Sequence, residues 1–210
     1  MSAAPPPGPT EGAINVQPLA VLMAVRIKGR AAPAAVAAAA GLREDDTDAA
    51  LAAASARGLL QPAAPRPGDV PSGAAAVLTL TPDGQRELAA LLAAEPRDRV
   101  ALAQAYEAFL AVDADLKTAI TAWQLAAGAA RGGRGAALAA AGACAAAAAE
   151  RLAALVARYA PYRRRLAAAV AALRAGDERY AASPRVDSLH QVWFELHEDL
   201  LLTLGRERRS

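Results

Sequence analysis

The sequence predicts a mainly α-helical chain in two parts, and three observations carry that expectation. First, 63 of the 210 residues are alanine, the best helix former and one that buries little area. Second, the β-branched and aromatic residues that strands need are scarce, with aromatics at 4%. Third, the composition changes near Pro96. Up to that residue there are 7 Lys+Arg against 9 Asp+Glu, and after it 16 against 12, which sum to the stated 23 and 21. The N-terminal half is mildly acidic although the chain as a whole carries +2. At this length a real core can be buried, and its packing must fall on the leucines, valines and few aromatics.

The elements follow in order. Residues 1–16, opening "MSAAPPPGPTEGA", read as a disordered Pro-rich tail without the basic start and apolar run of a signal peptide. "INVQPLAVLMAVRIKGR" gathers Leu19, Leu22, Met23, Val25 and Ile27 into an apolar helix. "AAPAAVAAAAG" is a second, with Pro33 in its first turn and Gly41 as its stop. "LREDDTDAALAAASARGLL" is a third, ending near Gly58. A Pro/Gly-rich loop, Gln61 to Gly73, precedes the best strand candidate, Val77 to Leu80, and "TPDG" reads as a turn. "QRELAALLAAE" is a further helix ended by Pro96.

This order, with Ala37 and Gly41 at the helix-to-turn junction, Arg57-Gly58-Leu59 after the third helix and Leu80 to Gly84 after the wing, resembles the winged helix-turn-helix of MarR-like bacterial regulators. The resemblance covers Pro18 to Glu95 and implies a winged-helix domain over 17–96 with a small β wing. A C-terminal helical bundle over 97–210 would follow it, with a flexible break near 126–136. It further implies DNA binding and dimerisation through terminal helices. The winged-helix-plus-helical arrangement also resembles segments that accompany phosphoenolpyruvate-utilising enzymes in high-GC bacteria, which implies, as the alternative, a winged helix used for protein contact in an adaptor or accessory subunit.

Winged helices read bases through Arg, Lys, Asn or Gln on the third helix. Here the expected core side is Thr47, Ala50, Leu51 and Ala54, and the opposite face is Asp45, Ala49, Ala52 and Ala56. Glu44, Asp45, Asp46 and Asp48 crowd its first turns. Carboxylates suit a helix N-terminus but repel phosphates. The cations available for phosphate contacts are Arg26, Lys28, Arg30, Arg43, Arg57 and Arg66; they would position the module without specifying a sequence. Duplex DNA and a protein partner both stay open.

Beyond Arg97 the expected helices span about Val100 to Gln124, an Ala-rich segment through Tyr159 to Pro161, "YRRRLAAAVAALRAG", and "DSLHQVWFELHEDLLLTLG". Ser188 with Gln191 reads as a capping box, and Gly205 as the stop. In that last helix Leu189, Val192, Trp193, Leu196, Leu200, Thr203 and Leu204 form an apolar face. His190, Phe194, His197 and Leu201 form a strip beside it, and Gln191, Glu195, Glu198 and Asp199 point away. Trp123, His190, Trp193, Phe194, His197 and Leu201 are therefore candidates for a dimer seam or a pocket, the alternative being a central bundle helix. A homodimer is expected.

No metal site, cofactor or catalytic residue is expected. His190 and His197 are seven apart, about 10.5 Å along a helix axis, too far to share a zinc ion at about 2 Å bonds. No nucleophile elbow or phosphate-binding Gly-rich loop is found, so a non-enzymatic protein is expected. Cys144 reads as an inert small hydrophobe, and "YRRR" with Arg158 as a solvated basic face. The apolar run Ala136 to Ala149 is short of the ~20 residues a membrane span needs, and a cytoplasmic location is expected.

Overall fold

A computed structural model describes residues 16–64, 76–127 and 130–207. The chain is mainly helical with one small antiparallel sheet, and it divides into two compact units, one through Glu95 and the other from Pro96. The Pro-rich tail through residue 15, the middle of the expected wing and Arg66 lie outside the described residues.

The first unit holds α1 (Val16–Lys28), α2 (Pro33–Ala40), α3 (Glu44–Ala56), β1 (Leu60–Pro62), β2 (Leu78–Leu80) and α4 (Pro82–Ala94). Leu19 through Val25 of α1 are all buried, as a helix apolar on every side must be. Pro33 stands in the first turn of α2, and Gly41 ends it in the left-handed region at φ 68°, where glycine carries no steric penalty. Thr47, Leu51 and Ala54 are the buried side of α3, the face expected from the sequence. β1 and β2 pair antiparallel with Leu60 opposite Leu80, and Leu78 bridges to Ala31 on its other side. Gln61 and Pro62, expected as loop, are thus the strand partner of the expected one. "TPDG" is not a free turn either. The Thr81 hydroxyl accepts from the Gly84 amide at 3.0 Å, Pro82 occupies the first turn, and the tetrapeptide starts α4.

The second unit holds α5 (Arg99–Leu125), α6 (Ala130–Leu155), a short 3-10 turn (Ala157–Tyr159), α7 (Ala160–Arg174), α8 (Arg179–Ala182) and α9 (Leu189–Leu204). Asp98 caps α5 by accepting from the Val100 and Ala101 amides. One face of α5 buries Leu102, Tyr106, Phe109, Leu116, Ile120 and Trp123. α6 packs along both α5 and α7, and α9 packs on α7, α8 and α5. Gly142 lets these helices approach closely: a Cβ there would lie 2.7 Å from Leu189 and 2.8 Å from Val170.

Three expectations change in this unit. Residues 130–136, expected as part of a flexible break, are helical, so Gly132, Gly133 and Gly135 lie inside α6. Over Gly132–Leu155, α6 is long and apolar enough by length and composition to cross a membrane, longer than the expected apolar run; its Leu138, Ala145, Ala149 and Leu152 are buried in the unit's core. Cys144 is exposed on that helix, because the buried face set by Leu138, Ala145, Ala149 and Leu152 leaves position 144 on the outer side.

Candidate functional site

The first candidate surface is α3 with its surroundings. Glu44, Asp45 and Asp46 fill its first turn, and these carboxylates and Asp48 are exposed. The outward positions that follow are Ala49, Ala52, Ala53, Ser55 and Ala56. Between α1 and α3 lies a cavity of about 330 Å³ lined by Val21, Leu22, Ala50, Ala53 and Leu59, with Asp46 and Arg57 among its polar members.

Of the described cations expected to meet phosphates, Arg43 and Arg57 stand at the two ends of α3, and the other three belong to α1 and the residues after it. Arg26 and Lys28 stand in the last turn of α1. Arg30 donates to the Ala64 carbonyl, which ties it to the segment after β1. Arg43 immediately precedes α3 and lies 3.9 Å from Asp45, both highly exposed. Arg57 pairs with Glu87 of α4 at 2.7 Å. Two of the five described cations are therefore beside carboxylates of their own unit, which offsets the charge a phosphate would meet.

The second candidate is a polar cavity of about 450 Å³ in the second unit. Its floor is Tyr106, Asp113 and His197, all buried. The rim carries Lys117 and Glu107 from α5 and Arg206 and Glu207 from just beyond α9. The Tyr106 hydroxyl lies 3.1 Å from His197 Nε2, and His197 Nδ1 lies 3.9 Å from Asp113 Oδ1. Asp113 is held from two further directions: Trp193 Nε1 donates to Oδ1 at 2.9 Å and Lys117 Nζ to Oδ2 at 2.7 Å. Arg206 pairs with Glu107 at 2.9 Å, and its guanidinium carbon sits 5.1 Å from the Tyr106 ring centroid.

The six residues proposed for a seam or pocket are not brought to one surface. Trp193 stacks on Phe109 with centroids 4.3 Å apart and belongs to the core, as do Trp123 and Leu201. His197 alone of the six lines the polar cavity. His190 is exposed, and Phe194 is 42% exposed. α9 is a central helix, buried on most of its circumference.

Glu195 and Asp199, expected to point to solvent, are each only 1% exposed. The reason is the "YRRR" segment. Arg158 and Arg165 are buried rather than solvated, while Arg163 and Arg164 are exposed. Arg158 Nη1 donates to both Asp199 oxygens and Nη2 to the Thr203 hydroxyl at 2.9 Å; Tyr162 donates to Asp199 Oδ2 at 3.0 Å. Arg165 grips Asp187 with two donors at 2.7 and 2.8 Å and donates to Glu195 at 2.7 Å. Burial, reinforced by the Asp199 charge, pushes the Tyr162 phenol well above its usual range. The ion pairs with Asp187 and Glu195 hold the Arg165 guanidinium protonated in spite of its burial. This network is structural: each member faces a partner within the unit.

Tyr106, Asp113, Lys117 and Arg206 were not among the expected site residues. A signal existed. The buried positions of α5 advance 102, 106, 109, 113, 116, 120, 123, and a carboxylate at 113 in an otherwise apolar stripe marks a buried polar partner. Among the described residues no group of three or more His, Cys, Asp or Glu side chains is placed to hold a metal ion. No family model matches this sequence, and neither a curated protein nor a solved structure is significantly similar to it.

Proposed function

We propose that the first unit is a winged-helix module used for protein contact, and that the chain works as a non-enzymatic, cytoplasmic adaptor with the second unit as its helical companion. The order α1–α2–α3–β1–β2–α4, with the Ala31 bridge as a third short strand, supports the winged-helix reading. Fold alone does not assign a ligand. The observation that carries the choice is the outward face of α3: four carboxylates in its first turns, alanines and Ser55 after them, and no cation within the helix, Arg43 and Arg57 standing at its two ends.

Such a face repels a phosphate backbone and offers, beyond the Ser55 hydroxyl, no polar side chain except carboxylates for reading base edges. It fits a partner with a basic surface and small apolar side chains that reach the cavity beside α3. The test is nuclease-treated affinity capture with the wild type and with an Asp45→Lys/Asp48→Lys variant. The proposal expects one partner recovered in stoichiometric amount by the wild type and lost from the variant. Recovery of the same partner by both would overturn it.

A further inference from the structure

We propose that the polar cavity of the second unit binds a small organic cation, a primary ammonium or guanidinium compound. This rests on different residues from the α3 surface and does not depend on that reading. A volume of about 450 Å³ is that of a small-molecule site. Three carboxylates, Asp113, Glu107 and Glu207, face it against two permanent cations, Lys117 and Arg206. Lys117 is committed to Asp113 at 2.7 Å, so an entering anion would face a lining that is already net negative.

The cavity also displays its own preferred occupant. Arg206 lays a guanidinium over the Tyr106 ring, 5.1 Å from the centroid, and bonds Glu107 at 2.9 Å. An aromatic face beside a carboxylate is the chemistry that recognises organic cations. The Arg206 backbone is fixed independently of its side chain: Gly205 is left-handed at φ 63°, and the Arg206 amide donates to the Leu201 carbonyl at 2.9 Å. Only the side chain, 40% exposed, has to swing aside. Arg206 is thus an internal competitor held at the mouth of the site.

Calorimetric titration of the full chain with agmatine and with putrescine tests this, with glutarate as the anionic counter-probe. The Arg206→Gln variant removes the competitor and should bind at least one of the two cations about threefold or more tighter than the wild type. Glu107→Gln should weaken binding by a similar factor. Both positions are solvent-facing, so both variants should keep the wild-type melting transition. Binding of glutarate in preference to the cations, or an Arg206→Gln variant that binds no cation more tightly than the wild type, would overturn the proposal.

Discussion

Replacing Asp199 by alanine should be the most damaging single change in the second unit. The carboxylate accepts two bonds from Arg158, one from Tyr162 and one from Thr203. The side chains of Arg158 and Asp199 are only 4% and 2% exposed. Removing the acid leaves a guanidinium that water cannot reach and that cannot shed its proton. Breaking a buried pair from one side costs about 3–5 kcal/mol. At about 4 °C per kcal/mol for a domain of this size, the transition should fall by roughly 12–20 °C. Both tryptophans, Trp123 and Trp193, lie in this unit, so tryptophan fluorescence during urea unfolding follows it without interference. An Arg158→Met/Asp199→Leu double variant removes both charges and should recover much of the loss. A single variant that loses less than about 1 kcal/mol, the worth of an exposed pair, would refute the buried-network account.

The Tyr162 phenol provides a pH test. Its folded-state pKa is raised by burial first and by the Asp199 charge next, so folding favours the neutral form. That contribution is complete below about pH 10, where unfolded tyrosine begins to ionise, and stability should decline as pH rises beyond it toward the folded value. Phenolate absorbance should show Tyr162 ionising only with unfolding, and Tyr162→Phe should remove that late step. In the first unit, a Cβ on Gly84 would lie 2.1 Å from the Leu59 carbonyl oxygen, an atom already bonded to the Thr81 amide. Gly84→Ala should therefore cost about 1–3 kcal/mol, seen as faster amide exchange in α1 and α4. Wild-type exchange rates in that variant would contradict the close packing.

The helices were legible because alanine and leucine at helical spacing leave little choice, and because their ends carry explicit punctuation. Ser188 accepts from the Gln191 amide at 3.3 Å, and Gly205 is left-handed, as the sequence implied. The Gln191 side chain does not close the reciprocal half of the capping box; it donates to Glu195. What escaped reading was polar burial. A helical projection assigns Glu195 and Asp199 to solvent because it sees one helix at a time. Their arginines come from α7 and the turn before it, 30 and 41 residues away in sequence. The same limit hid the polar cavity, whose Tyr106 and His197 are 91 residues apart. β1 escaped for a local reason: Gln61-Pro62 has turn-like composition and is a strand only because Leu78 and Thr79 lie beside it.

Whether the acidic α3 face engages protein and not duplex DNA is decided by fluorescence anisotropy with a labelled DNA duplex at low salt. The wild type should show no saturable binding, and binding should appear, and weaken steeply with added salt, when Asp45, Asp46 and Asp48 are all changed to lysine. Saturable, salt-dependent wild-type binding that is lost on changing Arg30 and Arg43 to glutamate would contradict the protein-contact reading.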